Sequence, residues 1–378
     1  MSPASLPPKA AMPHLPQLDG LRALAVGLVF LSHAGLGHVV PGGLGVTIFF
    51  FLSGYLITTL LRVEALNTGG ISLRHFYLRR VFRIFPPLYL TLLFAGLLYA
   101  LGLLKGPYDA AVVLMQAAFA ANYVGVLGGD ITLGLPLPLW SLAVEEHFYL
   151  LFPLAFLFAL GRVTAARLAA LCLAACLAVL AFRVAAVMTL PDASDIYIWT
   201  HTRADSILFG CGLALWRNPL LDGTAAYRPG SGQAAAALAV LAATVLIRDE
   251  TFRQTLRYTV QGGALFVLFA ALLQPPAEGP VGWAARLLST PPLTRIGLYS
   301  YTIYLVHAAM IEVVAGFTAS HLVQGGLGLA LTLAYAALMH RFVERPFGRM
   351  RRRLDAPGAD APAGHAAGRP MAVQAPAE

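Results

Sequence analysis

The stretch LDGLRALAVGLVFLSHAG, residues 18–35, decides the fold class. It is an apolar run of nearly the length that a membrane-spanning helix needs, roughly 20 residues, yet it carries Arg22 and His33. Eleven positions separate these two side chains, so on a helix they project from one face, roughly 16 Å apart along the axis. An ionisable residue inside a span is costly and is by default a candidate for function. The structural alternative is a packing histidine, with Arg22 as an anchor that reaches the membrane surface.

The rest of the chain repeats this apolar pattern. Of its 378 residues, 58% are hydrophobic and 12% are charged, whereas a soluble domain has roughly 25% charged residues. Ten apolar runs fall near 21–40, 44–61, 85–104, 145–160, 168–190, 204–216, 233–247, 258–274, 297–317 and 325–343. A shorter run at 110–127 is interpreted as re-entrant or interfacial. We therefore expect an all-α fold, a polytopic membrane helix bundle of about ten transmembrane helices.

Composition also divides the chain. Residues 1–17 are proline-rich and predict a disordered cytoplasmic N-terminus, residues 18–347 form the transmembrane domain, and residues 348–378 are basic and then rich in alanine, proline and glycine. This last segment predicts a disordered cytoplasmic tail. No further soluble domain is expected.

The net charge of +8 follows membrane topology rather than nucleic-acid binding. Arginines cluster in short gaps between apolar runs, on the side of the N-terminus, as the positive-inside rule requires. This distribution predicts a multi-pass protein of the inner membrane with both termini in the cytoplasm. Only Arg248, Arg253 and Arg257 run against the rule. Basic stripes interleaved with aromatic residues are absent, so no nucleic-acid partner is expected. The cysteines form no CxxC pair, and no metal is expected.

A second motif, FYLRRVFRIFPPLYL, covers residues 76–90. Arg79 and Arg83 are four positions apart and share a helix face, and two planar guanidinium groups in a fixed pair suit phosphate oxygens. Arg80 is expected to point elsewhere and to act as a topology anchor. The alternative is that all three arginines only anchor the helix.

A third motif, PLPLWSLAVEEHFYLLFP, covers residues 136–153 and brings two adjacent carboxylates into an apolar run. We expect Ser141 to cap this helix and Glu145 to lie near its first turn, where the helix dipole stabilises a carboxylate. Further on, Tyr304 and His307 are three positions apart and share one face of a later span. Interfacial packing is the alternative explanation for each.

Seven strings together resemble one known family. In chain order they are LDGLRALAVGLVFLSH, GGLGVTIFFFLSGYLIT, FYLRRVFRIFPPLY, PLWSLAVEEHFYLLFP, RADSILFGCGLA, SYTIYLVH and ERPF. They occur in the same order in the acyltransferase-3 family, the multi-span O-acyltransferases that modify bacterial surface polysaccharides, lipopolysaccharide, peptidoglycan and some antibiotics. The resemblance covers about residues 17–347, which is nearly the whole chain.

The resemblance implies a ten-helix core, an acyl-CoA donor, expected to be acetyl-CoA, on the cytoplasmic side, and a saccharide or glycolipid acceptor on the other side of the bilayer. The implied catalytic residues are His33, Glu145 and Arg22, with Glu145 orienting the His33 ring. Arg79, Arg83 and Arg22 are expected to bind the donor, and Trp140, Ser141, Tyr304 and His307 the acceptor. Histidine titrates near neutral pH and suits a general base, but a transient acyl carrier at His33 stays an open alternative. We do not expect the extracellular SGNH hydrolase-like domain that some members append. We therefore expect transfer to finish within the membrane domain or on a separate partner.

Two other classes of function also place charges inside a membrane. A secondary transporter or flippase of lipid-linked saccharide would favour matched broken helices in two halves, which this sequence does not show. A non-catalytic scaffold would use the same polar residues only for packing.

Overall fold

The computed structural model describes residues 12–193 and 195–354, and over this part of the chain the protein is built from helices. In chain order they are α1 (Pro16–Leu31), α2 (Gly42–Thr68), α3 (Leu73–Ala100), α4 (Ala110–Ala117), α5 (Leu139–Ala159), α6 (Ala165–Thr189), α7 (Thr200–Leu215), α8 (Ser231–Leu246), α9 (Glu250–Gln254), α10 (Leu256–Leu273), α11 (Gly279–Leu288), α12 (Pro291–Ala315), α13 (His321–Met339) and α14 (Arg345–Leu354). The predicted all-α fold is confirmed. The predictions of disorder for residues 1–11 and 355–378 concern positions outside the described residues.

Within the described ranges, eight helical segments are long and apolar enough to cross a membrane. They are Pro16–Leu36, Gly42–Thr68, Leu73–Ala100, Leu139–Ala159, Ala165–Thr189, Leu256–Leu273, Pro291–Ala315 and His321–Arg351. The two remaining apolar runs form α7 and α8, of 16 residues each. Such helices extend roughly 24 Å, less than the roughly 30 Å of a hydrocarbon core. The chain is therefore a multi-pass membrane protein in which two helices of the bundle are short.

The segment at 110–127 does not form a spanning helix. Only the eight residues of α4 are α-helical, and single 3₁₀ turns follow at Ala121–Tyr123 and Gly125–Leu127. The Asp109 side chain accepts a hydrogen bond from the backbone N–H of Ala111 and so caps α4. This broken backbone agrees with a segment that lies at the membrane surface or re-enters it.

The short helix α7 is held at the centre of the bundle by close packing and by a buried ion pair. Gly54 of α2 faces the backbone carbonyl of Ile207, and Gly210 of α7 faces that of Phe51, so a Cβ at either glycine would overlap a backbone oxygen. Asp205 of α7 accepts a 2.7 Å bond from Arg183 of α6, and neither side chain is exposed. Small residues let membrane helices approach closely, and the ion pair removes the cost of two isolated charges.

The end of α1 departs from a regular span. After Leu31 the chain forms a π-helical turn, Ser32–Leu36, in which Gly35 has a φ of +92°. His33 therefore lies at the break between α1 and α2 rather than within a continuous helix. Single π turns occur frequently at functional sites. We call the side of the bundle where α1 begins the N-terminal face, and the side where it ends the opposite face.

The start of α5 corrects one expectation. This helix begins at Leu139, directly after Pro138, so Ser141 lies inside the helix and does not cap it. Because the helix begins before Ser141, Glu145 lies beyond the first turn and away from the strongest part of the dipole. The Ser141 hydroxyl is instead hydrogen-bonded to the Tyr304 hydroxyl at 2.6 Å.

Candidate active site

A cavity of about 550 Å³ runs from the N-terminal face into the middle of the bundle. We call it the first cavity. Its polar lining comprises His14, Asp19, Arg22, Ser53, Arg80, Arg83, Ser141, Glu145, Tyr149, Ser300, Tyr301, Tyr304 and Arg351. Apolar side chains of α2, α3 and α5 complete the walls. A cavity with apolar walls and a few convergent polar groups is the usual form of a binding site.

Four arginines make the first cavity electropositive towards the N-terminal face. Arg22 donates to Asp19, three positions earlier on the same helix, at 2.7 Å. Arg80 lies with its guanidinium 4.7 Å from the centre of the Tyr149 ring. Arg83 and Arg351 also line the cavity. Clustered guanidinium groups of this kind suit phosphate oxygens.

The structure does not place Arg79 in this lining. Arg79 donates to Glu64 at 3.2 Å, and Glu64 also accepts from the backbone N–H of Ser72. The expectation that Arg80 points away from the site is wrong, because Arg80 lines the cavity together with Arg83.

The rotation of α3 explains this exchange. Phe76, Ile84 and Leu88 are 4%, 4% and 0% exposed and face the core. Position 80 lies on the same i, i+4 row, so burial of this row turns Arg80 inward. Arg80 and Arg83 are three apart, and this spacing also puts two side chains on one face. The spacing of these apolar residues in the sequence therefore already indicated that Arg80 faces inward.

Glu145 is held by two hydroxyl groups deep in the first cavity. Ser53 of α2 donates to one carboxylate oxygen at 2.8 Å, and Tyr149 donates towards the other at 3.3 Å. The Tyr149 hydroxyl also lies 2.9 Å from the Ser53 hydroxyl, which closes the triangle. The predicted contact between Glu145 and the His33 ring is not formed, because α2 and α5 tie the carboxylate to Ser53 and Tyr149.

His33 is paired with His307 instead. The two rings have centroids 4.9 Å apart, and Nε2 of His307 lies 3.4 Å from Nδ1 of His33. His33 Nδ1 is 2.9 Å from the Val29 carbonyl, and His307 Nδ1 is 2.8 Å from the Tyr304 carbonyl. A carbonyl oxygen only accepts hydrogen bonds, so in the neutral rings each Nδ1 carries the proton.

This tautomer leaves a lone pair on Nε2 of His33. The His33 side chain is exposed, whereas His307 is fully buried. The buried ring therefore fixes the orientation of the exposed one, and the exposed ring presents an unprotonated nitrogen. Such a nitrogen can accept a proton from a hydroxyl group.

A second cavity, of about 380 Å³, opens on the opposite face. Trp140 lines this second cavity, and the next residue, Ser141, lines the first. Phe50 lines the first cavity, and its ring centre is 5.3 Å from the guanidinium of Arg203, which lines the second. Phe50, Trp140 and Ser141 thus form a thin wall between the two cavities.

Three of the predicted acceptor residues, Trp140, Ser141 and Tyr304, lie at this wall, whereas His307 lines neither cavity. Ser141 and Tyr304 meet there through their hydroxyl groups, and the ring of His307 lies 5.8 Å from that of Tyr304.

Among the residues that the structure describes, no three His, Cys, Asp or Glu side chains meet in a cluster suited to a metal ion.

Sequence comparison relates the chain to membrane acyltransferases. A family model described as an acyltransferase domain matches residues 15–341. The chain is 31% identical over 353 residues to the peptidoglycan O-acetyltransferase OatA of Listeria monocytogenes, and 32% identical over 359 residues to the O-acetyltransferase OatA of Staphylococcus aureus. Both alignments cover 88% of this chain, but 56% and 57% of the respective relatives. The chain therefore spans little more than half the length of these relatives. No solved structure matches it.

Proposed function

Because the chain belongs to the acyltransferase-3 family, we propose that it transfers an acyl group, acetyl in the simplest case, from acyl-CoA to a hydroxyl group of a saccharide across the membrane. The observation that carries this proposal is the first cavity, in which four arginines stand towards the N-terminal face and a held carboxylate lies deeper. The proposed orientation puts the N-terminal face in the cytoplasm of a bacterial inner membrane.

The first cavity suits the donor in both charge and shape. Arg22, Arg80 and Arg83 offer guanidinium groups to the phosphates of CoA, and Arg351 adds a fourth. Coenzyme A enters from the cytoplasm, the compartment in which it is made, so its phosphates stay near the cytoplasmic face. The apolar walls of α2 and α5 then receive the pantetheine arm and bring the thioester towards the wall between the cavities.

His33 is the proposed general base. The acceptor hydroxyl attacks the thioester carbonyl carbon, and Nε2 of His33 takes the hydroxyl proton. The new ester C–O bond forms as the C–S bond breaks. His33 then passes the proton from its Nε2 to the thiolate of CoA. The products are the O-acylated saccharide and free CoA. His307 acts as a positioning residue, since its contact with His33 orients the ring.

Glu145 serves the first cavity rather than the His33 ring. Its carboxylate is fixed by Ser53 and Tyr149, and Arg80 lies over the ring of the same tyrosine. We propose that the group of Glu145, Ser53 and Tyr149 holds Arg80 in the cavity. Displacement of Arg80 would then weaken binding of the donor.

The acceptor is a hydroxyl group on a glycan of the cell envelope. One relative carries the name peptidoglycan O-acetyltransferase, and this name supports a saccharide acceptor here as well. Trp140 in the second cavity offers an aromatic ring, a common surface for the apolar face of a sugar.

The test compares three strains that lack the native gene and express the wild type, His33→Asn or His75→Ala. Asparagine keeps an N–H near the position of Nδ1 but has no basic nitrogen. Mass spectrometry of envelope glycans should show O-acetyl groups with the wild type and with His75→Ala, and none with His33→Asn at equal membrane abundance. Normal O-acetylation by His33→Asn would remove His33 from the mechanism.

A further inference from the structure

The second cavity collects positive charge on the face where the positive-inside rule disfavours it. Four arginines line it, Arg203, Arg248, Arg253 and Arg257, against a single carboxylate, Glu250. These residues come from α7, from the segment between α8 and α10, and, for Arg257, from the first turn of α10. Three of the four are the arginines that depart from the topology rule, so anchoring at the cytoplasmic surface does not explain them.

Arg203 is a buried cation without a carboxylate partner. Its side chain is 1% exposed, and within the described ranges it forms no ion pair. It donates to the Thr47 hydroxyl at 3.0 Å, while its Nε has no hydrogen-bond partner. A buried charge is costly unless an opposite charge compensates it, and a functional role is the default explanation in a membrane protein.

Arg257 repeats this arrangement on the same aromatic ring. The guanidinium groups of Arg203 and Arg257 lie 3.7 and 4.9 Å from the centre of the Tyr258 ring. Arg257 donates to the Tyr258 hydroxyl at 2.8 Å, and its Nε also has no partner. Two guanidinium groups thus lie on one ring without an ion pair of their own, and the Asp205 carboxylate, which also acts on Arg203, is paired with Arg183.

Arg253 differs from these two. It pairs with Glu250 at 2.9 Å and is 40% exposed. Glu250 therefore pairs with Arg253 and not with Arg203 or Arg257. Arg203 lies at the wall between the cavities, with its guanidinium 5.3 Å from the centre of the Phe50 ring.

We propose that the second cavity binds an oxyanion carried by the acceptor, a carboxylate or a phosphate, through Arg203 and Arg257. The acceptor is then an acidic saccharide, and the bound oxyanion fixes its position against the wall between the cavities. Trp140 and Tyr197, whose rings meet edge to face at 5.7 Å, line the same cavity and offer ring surface to the sugar. This assignment rests on the proposed function for its role in transfer.

The oxyanion has two possible sources, and binding measurements separate them. The protein is placed in nanodiscs of neutral lipid, and its affinity is measured for digalacturonic acid, for glucose 1-phosphate and for the neutral disaccharide maltose. We expect one or both acidic probes to bind more tightly than maltose. Preference for the uronate identifies a carboxylate on the sugar, and preference for the phosphate identifies a phosphate that links the sugar to a carrier. Higher salt should weaken either interaction.

Two variants and one control test the residues. Arg257→Gln should weaken binding of the preferred acidic probe by roughly tenfold or more, the loss expected for one charge-assisted contact. Arg203→Gln should weaken it at least as much. Arg228→Gln removes an exposed arginine that bonds the Gly223 carbonyl outside both cavities, and it should bind as the wild type does. Equal binding of maltose and the acidic probes, or unchanged affinity in Arg257→Gln, would overturn the proposal.

Acetyl-CoA binding, measured on the same samples, separates this inference from the proposed function. Acetyl-CoA binding without any binding of the acidic probes overturns the oxyanion site and leaves the donor cavity in place. Binding of the acidic probes through Arg257 without acetyl-CoA binding supports the site and overturns the donor proposal.

Discussion

At the scale of single residues, the arginines proposed to bind the donor are not the pair that their spacing in the sequence predicted. Arg79 and Arg83 are related by four positions, but Glu64 holds Arg79 outside the first cavity. Arg80 takes its place beside Arg83. The difference comes from the rotation of one helix about its axis, which a pair of arginines alone does not fix.

The affinity for acetyl-CoA tests this exchange. Arg80→Ala and Arg83→Ala should each weaken binding by roughly 10- to 150-fold, because a charge-assisted hydrogen bond contributes about 1.5–3 kcal/mol. Arg79→Ala should change affinity much less and serves as the matched control. Calorimetry on the purified variants in nanodiscs provides the measurement. The family-based assignment of Arg79 would stand, and ours would fail, if Arg79→Ala lost affinity and Arg80→Ala kept it.

The contact between His33 and His307 could not be predicted from the sequence. The importance of His33 could be inferred from a histidine in an apolar run, and the later His307 from its spacing to Tyr304. The contact between them joins residues 274 positions apart and depends on how α1 packs against α12. Local periodicity carries no information on such a contact, so Glu145 was the expected partner instead.

At the scale of helices, apolar length predicted the elements well and their roles less well. Each apolar run contains a helix, because a bilayer allows few other ways to satisfy the backbone. The 16-residue α7 is harder to interpret from sequence, since its polar face is matched by Arg183, Thr259 and Thr47 on other helices. These partners become visible only when the helices are packed.

The contact between α2 and α7 gives a prediction at this scale. Gly54→Ala would bring a Cβ into the Ile207 carbonyl, and overpacking of this kind costs about 1–3 kcal/mol. We expect a lower midpoint of thermal unfolding in detergent. Gly263→Ala in α10 is the control, because nothing lies within 4 Å of its added Cβ, and alanine favours a helix over glycine. Equal midpoints for the two variants would show that α2 and α7 are not in close contact.

At the scale of the whole molecule, the main feature of the bundle is its two separate cavities. The first holds guanidinium groups and a carboxylate towards the N-terminal face, and the second opens on the opposite face. The wall of Phe50, Trp140 and Ser141 keeps the two compartments apart while leaving only a few side chains between them. His307, which contacts His33, lies next to Tyr304, and the Tyr304 hydroxyl is hydrogen-bonded to Ser141 of this wall. Such an arrangement suits the proposed reaction, in which the donor and the acceptor stay in different compartments.

Transfer of the acyl group from one side of the membrane to the other is tested most directly in sealed vesicles. Inside-out vesicles from cells that express the protein receive acetyl-CoA with a labelled acetyl group on their outer surface. We predict labelled ester on glycan inside the lumen, with none in right-side-out vesicles and none in inside-out vesicles that carry His33→Asn at equal abundance. Equal labelling in both vesicle orientations, or undiminished labelling with His33→Asn, would contradict the account.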